Sequence, residues 1–252
     1  MRSVDELISA AIDAADHDSR WELIHELHAL NNREVFERAM LLAHTGTPAQ
    51  RILGADILGQ LGEYAGDAMP ALVNMLRDDD PGVVEAAVHA IAQQQHPRII
   101  EPLMRVAEHP AANVRWAVAT ALADLIADER AQRVLLALMR DDDISVRDRA
   151  TFAIGSLSDH DSPRIRSALF ERLQDDDRSV ANEAALGLAR RRDARAIAYI
   201  ARAVEVADAE DIGEAIDEIT VPEMLPELLR VRDAAANPQG MSQLIERCRA
   251  RM

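Results

Sequence analysis

Several side chains of this 252-residue chain are capable of acid–base or metal chemistry, but their spacing does not form a catalytic arrangement. His25 and His28 are three residues apart on one predicted helix, without the glutamate of the zinc-helix motif or a companion cluster of ligands. The carboxylates of Glu85, Asp148 and Glu214 are suited to proton transfer only if a second group tunes their pKa, and no such pair is evident. The sequence therefore predicts no catalytic residue, no metal site, no cofactor and no enzymatic activity.

Three runs of consecutive aspartates offer oxygen ligands of the kind that calcium prefers. They lie at 78–80, 141–143 and 175–177. None has the ligand spacing, the glycine and the terminal glutamate of a calcium-binding loop. Each run lies between two predicted helices, where a carboxylate can accept hydrogen bonds from free N–H groups of the first turn. We interpret the runs as helix boundaries.

These boundaries belong to a unit that recurs along the whole chain. In the unit that begins at Asp141, Val146, Ala150, Ile154 and Leu157 fall on one face at helical spacing. The period of 31 to 34 residues indicates a solenoid, in which each helix pair contacts mainly its neighbours. The equivalent positions are Gln50, Val83, Val114, Val146, Val180 and Ile212.

Composition and helical spacing predict an all-α chain. Apolar residues make up 48% of the sequence and aromatic residues only 3%, so alanine, leucine, isoleucine and valine must form the core. We expect one continuous domain over 1–252, with N-terminal capping helices at 1–33, repeats at 34–232 and a C-terminal cap at 238–252. Helices are expected at about 48–62, 82–95, 112–127, 145–157, 179–191 and 210–219, with partners at about 67–77, 97–108, 129–140, 162–174, 194–206 and 222–232.

The repeats carry a family resemblance. Asp143 with the Val146-Arg147 dipeptide, the segment 112–115 and the segment 187–197 resemble HEAT repeats, in particular the short bacterial HEAT-like repeats named for phycobilin lyases. The resemblance covers about residues 34–232. It implies a right-handed α-α superhelix, a HEAT-type solenoid of about six to seven helix pairs with terminal capping helices.

The same resemblance implies a role for the arginine of the Val-Arg dipeptide, which joins an aspartate–arginine ladder between neighbouring repeats. In the family, this dipeptide opens the second helix of each pair, and the second helices line the concave side. Three positions match the ladder arginine and three do not, so we expect an interrupted ladder. The matches are Arg51, Arg115 and Arg147, and the departures are Val84, Ala181 and Gly213.

Helical geometry also predicts which positions of the second helices stay exposed. Two, six and ten residues after the register positions, side chains point away from the core. These positions form acidic columns that contain one Trp and one Phe, a composition typical of a binding face. The alternative is that both rings pack between adjacent helices. The candidate partner-binding residues are Asp56, Glu85, His89, Trp116, Asp148, Phe152, Asn182, Glu214 and Glu218.

Two further features have structural explanations. The residues nine positions after the register points are glycine or alanine, for example Gly59 and Gly155, which favours close approach of helices over a functional role. The basic run 190–192 with Arg195 could hold a phosphate or an acidic patch. Because it lies at a helix end, we favour the role of complementing the negative end of the helix dipole.

The net charge is the main clue to a partner. The chain carries −16, from 44 acidic and 28 basic residues, so it would be repelled by a phosphate backbone. No long apolar segment is present, and the single Cys248 excludes an internal disulfide. We expect a cytoplasmic protein, monomeric when unbound, that binds neither nucleic acid nor membrane.

The leading hypothesis is a non-enzymatic interaction scaffold that binds a basic protein partner on its acidic concave face, with a toxin-neutralising (immunity) protein as one concrete form. The alternative, drawn from the resemblance, is a HEAT-like chromophore lyase, another HEAT-like enzyme or an enzyme subunit.

Overall fold

The computed structural model describes residues 2–93, 97–204, 212–232 and 237–252. Within these ranges the regular structure is helical and no strand is present, which confirms the predicted all-α fold. Short 3₁₀ turns precede several of the helices. The α-helices are α1 (Val4–Ile12), α2 (His17–Leu30), α3 (Arg33–Thr45), α4 (Pro48–Gln60), α5 (Ala65–Met75), α6 (Pro81–Ala92), α7 (Ile100–Met104), α8 (Ala112–Ala123), α9 (Glu129–Leu138), α10 (Ile144–Phe152), α11 (Pro163–Arg172), α12 (Arg178–Arg190), α13 (Ile197–Ala203), α14 (Gly213–Ile219), α15 (Leu225–Arg232) and α16 (Pro238–Ala250).

Two compact units make up the chain, residues 1–125 and 126–252. In the first unit, α4 packs against α3 and α6, and α6 packs against α8. In the second unit, α12 packs against α10, α11 and α14. We call α4, α6, α8, α10, α12 and α14 the B helices, because each is the second helix of its repeat. The prediction of one continuous domain stays a prediction.

The aspartate runs start helices, as the sequence predicts. The carboxylates of Asp80, Asp143 and Asp177 each accept hydrogen bonds from two backbone N–H groups in the first turn of the helix that follows. The first aspartate of each run accepts from the N–H of the third at 2.9 to 3.1 Å. Removing such a cap typically costs ~1 kcal/mol. The first aspartate of each run thus orders the loop, and the third stabilises the start of a B helix.

The aspartate–arginine ladder is present at Arg51 and Arg147, and the third matching arginine, Arg115, donates to the carbonyls of His109 and Pro110. Arg51 of α4 donates to Asp78 at 2.8 Å. The Nε and Nη2 atoms of Arg147 each donate to one carboxylate oxygen of Asp175 at 3.1 Å. Both bonds join a B helix to the loop before the next one. Two of the three departures, Val84 and Ala181, are buried apolar residues. The ladder thus orients successive repeats within each unit.

Close helix approach accounts for the small residues nine positions after the register points. A Cβ added to Gly59 would lie 2.8 Å from the Cα of Ala90, and one added to Gly155 would lie 2.9 Å from the carbonyl oxygen of Glu183. Neither distance is compatible with a side chain. The small residues are therefore required by packing, as predicted.

One B helix departs from the predicted register. The helix expected at 145–157 is α-helical only to Phe152 and continues as a π-helical turn over Ala153–Leu157. Because a π-helical turn contains one residue more than an α-helical turn, the side chain of Leu157 is rotated away from the core. Leu157 is 45% exposed, and Ser158 is buried in its place at 2%. The expected inward position of Leu157 was wrong for this reason.

Smaller boundary differences occur elsewhere. The helix expected to extend to 127 ends at Ala123, and α5 begins earlier than expected, so that Pro70 lies inside it and not in its first turn. The helix expected at 210–219 begins at Gly213 in the described residues, and the predicted positions 94–95, 205–206 and 210–211 lie outside them.

The terminal helices pack against helices of the repeats. At the N-terminus, α1 and α2 pack on each other and both contact α4, with Leu7, Ile24 and Leu27 buried. At the C-terminus, α16 packs against α13 and α15. Its buried side chains are Met241, Leu244, Ile245 and Cys248, whose thiol donates to the carbonyl of Val221 at 3.0 Å.

Candidate binding surfaces

The B helices present the predicted columns to solvent. None of the residues two, six or ten positions after the register points is buried where the structure describes them, from Ile52 in α4 to Glu218 in α14. Trp116 is 37% exposed and Phe152 is half-buried. The candidate positions therefore form one accessible surface in each unit.

In the first unit, three of the candidate residues line one groove. Asp56 of α4 and Glu85 and His89 of α6 face a cavity of about 470 Å³, and α2 closes its third side. We call this cavity the N-terminal groove. Its other lining residues are His17, Arg20, Trp21, Ile52, Gly59, Gln60, Gly82, Ala86, Ala90 and Gln93.

Asp56 is a desolvated carboxylate without a counter-ion. Burial raises the pKa of its carboxyl to about 6, and the opposing positive charges of Arg20 and His17 only partly offset that effect. Within the described residues, neither of these side chains forms a hydrogen bond or a salt bridge with Asp56, and the Nε of Arg20 also lacks a partner. Desolvation without a partner disfavours the ionised form, so the negative charge of Asp56 is costly in the unbound protein.

This cost gives a prediction for stability. The folded-state pKa of Asp56 lies above its ordinary value of 3.8, so folding favours the protonated form and its stabilising contribution is lost as pH rises through about 6. Asp56→Asn should therefore raise the free energy of unfolding by about 1–2 kcal/mol at pH 7.5 and leave it nearly unchanged at pH 4. Urea unfolding at the two pH values measures this difference. Asp79→Asn, which changes an exposed side chain, is the control and should change the free energy of unfolding by less than about 0.5 kcal/mol. An equal effect of both variants would contradict the desolvation of Asp56.

The rim of the N-terminal groove is held by side-chain contacts. The indole Nε1 of Trp21 donates to Nε2 of His17 at 2.8 Å, and the Trp21 ring also contacts His25. Glu85 accepts from the amide of Asn113 at 2.6 Å, and its carboxylate lies 3.9 Å from His89.

On the same unit, Trp116 of α8 meets His89 edge to face, with ring centroids 6.4 Å apart. The predicted residues Asp56, Glu85, His89 and Trp116 are thus brought together along three adjacent B helices.

In the second unit, Asp148, Glu183 and Glu214 form an acidic cluster on α10, α12 and α14. Burial raises the pKa of Glu183, the hydroxyl of Ser156 opposes this by donating at 2.8 Å, and the neighbouring charges of Asp148 and Glu214 raise it further. Asp148 accepts from the hydroxyl of Ser179 at 2.9 Å. These like charges repel one another, and an added cation would relieve that repulsion.

The remaining candidates of the second unit are arranged differently. Asn182 accepts a hydrogen bond from the Tyr199 hydroxyl at 2.7 Å, and the guanidinium of Arg149 lies over the Phe152 ring at 5.4 Å. Glu218 is already paired with Arg192 at 2.6 Å. Glu218 is therefore a structural ion pair, and its prediction as a binding residue has the least support.

The basic run 190–192 is occupied by contacts within the second unit, as its helix-end interpretation predicts. Arg191 is 8% exposed, follows the last residue of α12, and donates to carbonyls of the π-helical turn. Arg190 donates to the Ser156 carbonyl, and Arg195 pairs with Asp193 at 2.6 Å. The carbonyls that accept from Arg191, at 2.7 to 3.2 Å, belong to Ile154, Gly155, Ser158, His160 and Gly187.

The carboxylates differ in whether they form a salt bridge with an arginine. Aspartates at the helix ends, such as Asp78, Asp175 and Asp193, form salt bridges with arginine. Five carboxylates on the B helices form no salt bridge with an arginine in the part of the chain that the structure describes: Asp56, Glu85, Asp148, Glu183 and Glu214. Two others on α14, Asp217 and Glu218, pair with Arg251 and Arg192.

Sequence reasoning missed three residues of these surfaces. Trp21 and Arg20 lie in α2, which precedes the repeats, so no register position pointed to them. Glu183 stands three positions after Val180, where most of the repeats carry leucine or alanine. A charged residue at a position that is leucine or alanine in four of the six repeats was a usable signal for Glu183. The groove-lining role of α2 required the fold.

The repeats define the class of protein. The HEAT-repeat family matches over residues 69–155 and 133–220, which together cover more than half of the sequence. The chain belongs to the HEAT-repeat family, so the predicted resemblance is confirmed. The family's scaffold-like fold supports a role in protein interaction in general.

Individual relatives are similar over most of their length. Protein YibA from Escherichia coli strain K12 is 32% identical over 190 residues, 71% of this chain and 67% of YibA. An X-ray structure of the E. coli protein superposes with a TM-score of 0.77 at 26% identity, covering 98% of this chain and 93% of that chain. The crystal structure of an engineered protein, at 16% identity and a TM-score of 0.57 over 98% of this chain and 78% of that chain, shares the fold.

None of the helices in the described ranges has the length and apolar character that a membrane-spanning segment requires.

Proposed function

We propose that this HEAT-repeat protein is a non-enzymatic interaction protein that binds a basic protein partner through the carboxylates of its B helices. The observation that carries the proposal is the set of five B-helix carboxylates, Asp56, Glu85, Asp148, Glu183 and Glu214, that lack arginine counter-ions in the described residues. A partly buried carboxylate without an internal partner loses solvation, and an external cation would offset that loss.

Electrostatics supports a basic protein as the partner. The net charge of −16 attracts a cationic protein over a distance of about one Debye length, ~8 Å at physiological salt, and so raises the rate of encounter. At short range, arginine and lysine side chains donate charge-assisted hydrogen bonds to carboxylates. The exposed ring of Trp116 adds an aromatic group of the kind that often carries much of the binding energy in interfaces.

A toxin-neutralising role is the concrete form that we favour. A toxin that attacks nucleic acid needs a basic active cleft, because the phosphate backbone is negatively charged. An acidic protein that covers such a cleft blocks the substrate and associates rapidly through opposite charge.

Reversal of the carboxylate charges and removal of the Trp116 ring should change different rate constants of partner binding. Reversing Glu85 and Asp148 to lysine should slow association at low salt by about tenfold or more and weaken its salt dependence, since both charges contribute to steering. Trp116→Ala should mainly accelerate dissociation, by about 30-fold if the ring is an anchor worth ~2 kcal/mol. Surface plasmon resonance at two salt concentrations, with the partner captured from the native host, measures both rates.

Matched substitutions control for net charge in this experiment. Glu108→Lys and Glu223→Lys change exposed carboxylates outside the B helices by the same charge. They should leave the association rate within about threefold of wild type. Equal slowing by both pairs of reversals would contradict a specific role of the B-helix carboxylates.

A further inference from the structure

We propose that the N-terminal groove is a receptor for a single arginine side chain of the partner, with Trp21 as the stacking face and Asp56 as the carboxylate that accepts from the guanidinium. This inference rests on the proposed function and deepens it, because it assigns one site and one chemical group to the contact.

The dimensions of the groove fit a side chain and the backbone beside it. Its volume of about 470 Å³ lies within the ~300–1,000 Å³ that is typical of ligand sites. Small residues line part of its walls, including Gly59, Ala86 and Ala90, and the indole of Trp21 lies beside them. Its two carboxylates, Asp56 and Glu85, lie on α4 and α6, and Arg20 and His17 line it from α2. A partly apolar slot with acidic groups matches the long apolar stem and charged head of arginine.

Charge complementarity selects a cation. Asp56 is the most desolvated carboxylate of the groove, and Glu85 on the adjacent helix adds a second. The internal cation Arg20 is near enough to influence Asp56 but does not pair with it in the described structure. An external donor therefore supplies the hydrogen bonds that the protein itself does not provide.

The aromatic wall favours a guanidinium over an ammonium ion or a metal. A planar guanidinium stacks on an indole and donates two parallel hydrogen bonds to one carboxylate, whereas an ammonium ion is a compact and more strongly hydrated charge. Nowhere in the described ranges do three or more His, Cys, Asp or Glu side chains gather in a geometry that suits a metal ion. Trp21 is held in place by its hydrogen bond to His17, so the stacking face is ordered before binding.

Nuclear magnetic resonance with a short peptide tests the inference without the natural partner. The chain has two tryptophans, so its indole N–H signals can be assigned with Trp21→Phe. A blocked Gly-Arg-Gly peptide should shift the Trp21 signal in a saturable way. The citrulline isostere, which is neutral, should shift it at least tenfold more weakly, and the lysine peptide at least threefold more weakly. Equal shifts with the citrulline or the lysine peptide would overturn the assignment.

Asp56→Asn provides the matched variant. It should weaken binding of the arginine peptide at least tenfold, while Asp79→Asn leaves binding unchanged. Because Asp56→Asn removes a desolvated charge, the variant should fold at least as well as wild type, so unfolding is not an explanation for lost binding. Unchanged binding in Asp56→Asn would contradict the inference.

The result separates this inference from the proposed function. If the arginine peptide fails to bind but reversal of Glu85 and Asp148 still slows partner association, the groove assignment is wrong and the proposed function stands. If the peptide binds as described but the reversed variants associate with the partner at wild-type rates, the proposed function is wrong.

Discussion

A chain that ends at residue 236 should lose most of its stability and aggregate. The missing helix α16 buries Met241, Leu244, Ile245 and Cys248 almost completely. Burial of a large apolar side chain contributes about 1.5–3 kcal/mol, so the helix contributes ~5 kcal/mol or more. Typical domains are stable by only 5–15 kcal/mol, and removal of α16 also uncovers the apolar faces of α13 and α15.

Urea unfolding and light scattering measure this loss of stability. A shorter truncation and a single substitution serve as comparisons. Removing only residues 251–252 deletes an exposed ion pair between Arg251 and Asp217, and should cost less than about 1 kcal/mol. Gly240→Ala should be strongly destabilising by itself, because a Cβ there would collide with the Ala201 carbonyl. A truncated chain that keeps the wild-type unfolding midpoint and stays monodisperse would show that α16 is not a cap.

Arg191→Met should be the most damaging single substitution of a charged residue in the second unit. The guanidinium of Arg191 is buried and donates to five carbonyl oxygens around the π-helical turn. Without it, these acceptors are desolvated and unpaired, at a cost of about 1–3 kcal/mol each when burial is complete. Allowing for relaxation, we expect a loss of about 3–5 kcal/mol, measured by urea unfolding.

Two controls accompany Arg191→Met. Arg191→Lys retains the charge but offers only three donors without the planar fork, so we expect an intermediate loss of about 2 kcal/mol. Arg140→Gln breaks an exposed pair with Glu171 and should cost less than about 1 kcal/mol. If Arg191→Met were as mild as Arg140→Gln, the carbonyls would be satisfied in another way and the role assigned to Arg191 would be wrong.

The sequence predicted the helices and most of their burial because both follow from local rules. Helical spacing places Val83, Ala87 and Ile91 on one face, and all three are buried. The carboxylates of the aspartate runs cap helices through contacts two or three residues away, so their role could be inferred without the fold.

The register failed at Leu157, where no local rule applied. Its helix switches to a π turn next to Gly155 and Gly187, two glycines that allow α12 to approach closely. The Arg191 guanidinium then donates to the carbonyls of that turn. Such a switch depends on contacts between residues more than 30 positions apart, which the period of the repeat does not encode.

The candidate site was predicted only in part for a similar reason. The exposed positions of the B helices predicted Asp56, Glu85 and His89 as binding residues, and all three line the N-terminal groove. Trp21, across the groove, belongs to a helix outside the repeat. The raised pKa of Asp56 results from its burial beside that helix, which no pattern in the sequence expresses. The chemical character of the groove thus became visible only in three dimensions.

Capture of the partner from lysate of the native host, compared between two equally charged triple variants, tests the central claim most directly. One variant reverses B-helix carboxylates (Glu85→Lys, Asp148→Lys, Glu214→Lys), and the other reverses exposed carboxylates elsewhere (Glu108→Lys, Asp176→Lys, Glu223→Lys). Quantitative mass spectrometry should find a basic protein with wild type and with the second variant, and at least tenfold less of it with the first. Equal recovery of that protein by both variants, with both folded, would contradict binding through the B helices.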